Sequence, residues 1–101
     1  MIARTWRTRI DTARLDEWER FVSERSTPMF RQQDGMRAVF HARDGDEWLT
    51  VSILRDAATV AALGSSQSYI TTAEDLLATG MVLREPVTEA FEVSSFDVRN
   101  M

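Results

Sequence analysis

The chain contains no cysteine and no lysine, and it has a single histidine, His41. Each absence removes a class of chemistry. Without cysteine there is no disulfide, no thiolate nucleophile and no iron-sulfur cluster. Without lysine there is no Schiff base, no covalently held pyridoxal phosphate and no phosphate loop that relies on its lysine, because all 12 basic residues are arginine. One histidine cannot build a histidine-rich zinc or iron site within one chain. The acidic pairs Glu17 with Glu19 and Glu74 with Asp75 fit solvated helix faces and caps, so no metal is expected. Gly64-Ser65-Ser66 is too short to cradle a phosphate. Long apolar runs are also missing: the opening MIARTWRTR alternates, so neither a signal peptide nor a membrane span is expected, and the cytoplasm is the expected compartment.

What is present, 101 residues that are 44% apolar and 28% charged, describes one globular domain over residues 1–101. Roughly 65% of the unfolded chain's surface can be buried at this size, enough for one core but not for a deep private cavity. A ligand is therefore expected between layers or between subunits. The net charge of -4 argues against nucleic acid. Its distribution is uneven: residues 1–55 carry ten Arg against nine acids, whereas residues 56–101 carry two Arg against seven.

Residues 2–10 alternate with period two and predict a strand, the even set leaning inward although Arg4 belongs to it. From Asp11 or Thr12 as N-cap the period changes, and Leu15, Trp18 and Val22 mark an amphipathic helix. Ser26-Thr27-Pro28 predicts a stop and restart, with Thr27 capping a short second piece that Asp34-Gly35 ends. Residues 36–43 and 47–54 alternate around Asp44-Gly45, the signal of a tight hairpin. A two-residue loop there pairs Phe40 with Leu49, Ala38 with Val51 and Met36 with Ile53, an apolar face expected to meet the helices. The other face pairs His41 with Trp48, Val39 with Thr50 and Arg37 with Ser52. A four-residue loop over 44–47 would shift the pairs and leave the faces unchanged. Residues 56–63 predict a helix stopped by Gly64, then a polar loop containing Tyr69, then a helix capped over 72–75 and ended by Gly80. A final strand is expected over 87–98.

The order strand, helix, hairpin, helix, strand is βαββαβ, an α+β, ferredoxin-like pattern. It predicts a four-stranded antiparallel sheet in the order 4-1-3-2 with helices on one face, strands 1 and 3 being expected parallel. The arginines at 4, 7 and 9 are expected to form a pairing surface for the final strand, which carries Glu89 and Glu92. The sheet face bearing Trp48 and His41 is expected to be covered by a second copy of the chain.

Several segments resemble the antibiotic biosynthesis monooxygenase family over about residues 1–96: the opening MIARTWR, a helix holding Asp16-Glu17-Trp18, the Ser-Thr-Pro bend, Asp34-Gly35-Met36-Arg37 before the hairpin, and Phe91-Glu92-Val93. The resemblance implies a dimeric α/β barrel, two sheets packed face to face, with a ligand cleft between sheet and helices in each subunit. It also implies cofactor-free oxygenation of polycyclic aromatic intermediates or oxidative haem degradation. The asparagines of such oxygenases have one counterpart in composition, Asn100. Where haem degraders place an asparagine, a tryptophan and a histidine, this sequence has Thr5 and Trp6 on the first strand, Leu63, and no histidine over 70–72. Haem is not expected as the ligand, and no cofactor is expected.

The resulting expectation is a cofactor-independent monooxygenase-like homodimer that binds a small apolar or polycyclic aromatic metabolite, lined by Trp6, Trp18, Met29, Phe30, Phe40 and Tyr69. Tyr69 and His41 are the candidates for proton transfer. Trp18 also reads as plain core, Tyr69 as a loop anchor, and Trp6 as either core or pocket. The alternative function is a non-catalytic ligand-binding or partner-binding dimer of the same fold.

Overall fold

The computed structural model describes residues 1–99, and Asn100 lies outside them. Strands β1 (Ile2–Arg9), β2 (Met36–Asp44), β3 (Glu47–Leu54) and β4 (Val87–Glu92) form one sheet in the order β2-β3-β1-β4. This is the expected spatial order. Every neighbouring pair is antiparallel, including β1 with β3, which corrects the parallel pairing anticipated for them. The reason is topological: the helical crossover returns β2 parallel to β1, the hairpin reverses the chain, and β3 must then run against β1.

Asp11 accepts from the Ala13 N–H and starts a tight turn over Thr12–Arg14 that leads into α1 (Leu15–Phe21). The expected stop at Ser26-Thr27-Pro28 is not a stop. The helix runs on through a π-helical turn, Val22–Ser26, into α2 (Thr27–Arg31), with the Thr27 N–H bonded to the Val22 carbonyl. Pro28 has no N–H for the carbonyl four residues back, and the wider turn accommodates its ring without breaking the helix. Thr27 stays helical, so its hydroxyl does not cap and is free for the use described below.

The hairpin loop is Gly45-Asp46, with Gly45 at φ 59 and Asp46 at negative φ, the arrangement of a II′ turn. The pairs shift accordingly: Phe40 lies opposite Val51 and His41 opposite Thr50. The two faces keep their membership but exchange roles. Trp48, Thr50, Ser52 and Leu54 are buried against the helices, together with Arg4 and Thr8 of the inward even set of β1 and Ile10 just beyond its end. Ala38, Phe40, Leu49, Val51 and Ile53 alternate to the far face, contrary to expectation. Met36 alone of that set joins the helix side, because a bulge between Met36 and Ala38 puts it opposite Leu54.

Two further helices follow. Asp56 and Thr59 form a reciprocal cap on α3 (Ala57–Ser65), and Ser66 caps α4 (Gln67–Ala78). Gly64 therefore sits inside α3 rather than ending it, and Tyr69 and Thr72 are helical rather than in a polar loop. Gly80, at φ 77, ends α4 as expected. The final strand stops at Glu92, six residues short of its anticipated end. Glu89 and Glu92 lie opposite Thr5 and Ile2, and Arg9 pairs instead with Asp46 at 2.6 Å, so the expected basic–acidic seam between the end strands does not form.

The core has two parts: Ile10, Trp18, Val22, Trp48, Leu76 and Met81 at one end, and Met29, Phe30, Leu54 and Leu63 at the other. Among the described residues no helix is long and apolar enough to cross a membrane.

Candidate functional site

A cavity of about 70 Å³ lies between the helix-facing side of the sheet and the helices, and members of both core clusters line it. Trp6, His41, Trp48 and Thr50 form its floor from β1, β2 and β3. These four share a face because alternate strand residues point the same way and the pairs Trp6–Thr50 and His41–Thr50 place them side by side. The walls come from Trp18 and Val22, from Met29 and Phe30, and from Tyr69, Thr72 and Leu76 of α4. The π-helical turn rotates α2 relative to α1 and brings Ser26 to the cavity as well.

Within this apolar enclosure runs one polar chain. The Trp48 Nε1–H donates to Thr50 Oγ1 at 3.0 Å, Thr50 Oγ1 lies 2.8 Å from His41 Nδ1, and His41 Nε2 lies 3.1 Å from Thr27 Oγ1. The hydroxyl of each threonine can donate or accept. A neutral ring is thus satisfied at both nitrogens, and an imidazolium would be too, since Thr27 can accept from Nε2–H and Thr50 has two lone pairs, one for the Trp48 N–H and one for the His41 Nδ1–H. Burial holds the His41 imidazole below its ordinary value, favouring the neutral form. The Trp48 ring packs against His41 at 5.5 Å and edge-on against Trp18 at 5.4 Å, fixing the floor's shape.

No protein-family model matches the sequence, and no curated protein matches it. Solved structures do. The NE2512 protein of Nitrosomonas europaea, of unknown function, is 17% identical with a TM-score of 0.77, over 99% of this chain and 95% of that one. SnoaB, a cofactor-independent oxygenase from Streptomyces nogalater, is 14% identical with a TM-score of 0.75, over 94% of each chain. An antibiotic biosynthesis monooxygenase is 11% identical with a TM-score of 0.74, over 94% of this chain and all of that one. The chain has the antibiotic biosynthesis monooxygenase fold. Identities this low establish the fold alone, so what the cavity of this chain can do has to be read from its own geometry.

Within this monooxygenase fold, Trp6, Trp18, Met29, Phe30 and Tyr69 all line the cavity. Phe40 does not. It is 52% exposed on the far side of the sheet, because β2 turns its odd residues to the helices. Trp48 and His41, expected in a subunit interface, are instead on the cavity floor for the same reason. Sequence reasoning missed Thr27 and Thr50 as the partners of His41. The only signal for Thr50 was a small polar residue at an alternate position of an otherwise apolar strand.

Proposed function

We propose that the chain binds a compact apolar or aromatic metabolite in this cavity and oxygenates it without a cofactor. The observation that carries the reading is His41, a neutral imidazole hydrogen-bonded at both nitrogens inside an enclosure lined by three indoles. In such a reaction the substrate supplies the electrons: a methylene flanked by aromatic rings loses a proton, the carbanion reduces dioxygen, and CH2 plus O2 become C=O plus water. Thr50 lines the cavity, and it can pass its proton to His41 Nδ1 as it takes one from the substrate. The indoles exclude water, and Tyr69 can donate to the oxygen where charge develops.

The working unit we propose is a homodimer closed through the far face of the sheet. Phe40, Val87 and Phe91 are 52%, 48% and 54% exposed there, and an apolar patch of this kind is normally covered. Light scattering behind a sizing column should give twice the 11.5 kDa of one chain. A single-chain mass at micromolar concentration would refute the dimer.

Oxygen uptake with hydroxylated anthrones tests the chemistry, alongside His41→Ala, Tyr69→Phe and Trp6→Phe. Uptake should be lost in His41→Ala and reduced in the other two. Rates equal to the protein-free control across the panel would overturn the oxygenase. Tight binding without turnover would assign the cavity to ligand binding alone.

A further inference from the structure

Arg4 is 6% exposed, and among the described residues it is the one charged side chain in the buried set. Its Nη2 donates to the Tyr69 hydroxyl at 2.6 Å, and its guanidinium carbon lies 5.1 Å from the centre of the Tyr69 ring. Nη1 is buried with no acceptor among the described residues. No carboxylate among the described residues forms an ion pair with it, and Glu92, on the same face of the sheet, is exposed. Directly opposite Arg4 on β3 is Ser52, fully buried, whose Oγ also lacks a partner. Tyr69 accepts from Arg4, and no acceptor among the described residues takes the phenol's own hydrogen.

A guanidinium withdrawn from water is normally met by an anion, and a buried donor left without an acceptor is costly. Tyr69 lines the cavity, and Arg4 and Ser52 stand outside its lining, one alternate position beyond Trp6 and Thr50 on the same face of the sheet, so the three donors lie next to one end of the cavity. We infer that the ligand carries a carboxylate, held by Arg4, Tyr69 and Ser52, with the edge of its ring in the indole-lined cavity. This rests on the ligand-binding reading proposed above. One negative charge matches one guanidinium, and two oxygens offer enough lone pairs for three donors. A phosphate dianion would bring a second charge with no second buried cation among the described residues to meet it. The cavity of about 70 Å³ has less than half of the roughly 150 Å³ that holds a benzene ring, so it takes the edge of one ring and the rest of the ligand lies in its mouth. The class is a compact aromatic acid.

The test is titration with 2-naphthoate and its neutral counterpart 2-naphthamide, followed by fluorescence of the indoles that line the cavity. The acid should bind about tenfold or more tightly than the amide, the worth of one charge-assisted hydrogen bond. In Arg4→Gln the two should bind alike, and the Tm of the empty protein should not fall, because an unpaired buried charge has been removed. Ser52→Ala, a smaller change that keeps the guanidinium, should weaken the acid and leave the amide unchanged. An Arg4 that serves only the fold would lower Tm and weaken both ligands equally, which overturns the inference. Equal binding of acid and amide to the unaltered protein overturns the carboxylate and leaves the ligand-binding reading intact. Binding of neither overturns both.

Discussion

Replacing Thr50 by valine isolates the polar chain on which the proposed chemistry depends. Valine fills nearly the same space, so packing is conserved while the hydroxyl that joins Trp48 to His41 is lost. Thr50 is 4% exposed, and the two bonds lost measure 3.0 and 2.8 Å. Leaving a buried polar group without its partner costs about 1–3 kcal/mol. The Trp48 N–H is buried and bears that cost in full, whereas half-buried His41 recovers part of it from water. The total is about 2–4 kcal/mol, which in a domain of this size lowers Tm by roughly 10–25 °C. Thr50→Ser keeps the hydroxyl and removes one methyl, at about 1 kcal/mol. Urea unfolding followed by fluorescence and circular dichroism measures both, and oxygen uptake with an anthrone should survive in the serine variant only. A valine variant as stable as the serine variant would refute the argument, since the bridging hydroxyl would then contribute nothing.

Three other outcomes follow from the same geometry. Burial holds His41 below its ordinary 6.5, so as pH falls the unfolded chain takes up this proton first: stability from this group is complete above about 6.5 and declines below it until the folded imidazole is protonated too. Tm against pH between 7.5 and 5 should fall less steeply in His41→Gln, and identical slopes would refute the assignment. Gly35 sits at φ 77 with Thr59 Cγ2 only 2.4 Å from where a Cβ would be, so Gly35→Ala should cost about 2–5 kcal/mol from backbone strain and overpacking together. The same change at Gly64, helical with open space around it, should stabilise by about 0.5–1 kcal/mol, and equal effects at the two sites in urea unfolding would refute both. Phe40→Asp should yield folded monomers by light scattering with the cavity fluorescence unchanged, and a persistent dimer would remove the far face from the interface.

The architecture was legible because it rests on strong local signals. Asp44-Gly45 between two alternating runs, the cap at Asp11 and Gly80 at a helix end each reflect a backbone requirement that few residues meet. The break at Pro28 was misread because a missing N–H can be absorbed by a wider turn when the flanking residues, Phe21, Val22, Met29 and Phe30, have packing partners on both sides. Tyr69 was placed in a loop because Ser65, Ser66 and Ser68 are residues that cap as readily as they turn, and Ser66 does cap.

The orientation of the sheet failed for a reason that concerns function. Counting apolar side chains assigns the helices to the face of Phe40, Leu49 and Val51, and that inference holds when the opposite face meets water. Here the opposite face is the enclosed one, and it carries Arg4, Thr8, His41, Thr50 and Ser52 among its indoles and Leu54. A core that only had to be stable would gain by replacing these polar residues with apolar ones, since each buried polar group must find a partner to avoid a penalty. Thr50 and His41 have found theirs in each other, in Trp48 and in Thr27, whereas Arg4 Nη1 and Ser52 Oγ have none among the described residues. A buried face more polar than stability requires departs from what packing alone selects, and such departures mark candidate functional sites. The mixed character that made this face ambiguous in the sequence is therefore the same property that makes it the candidate site.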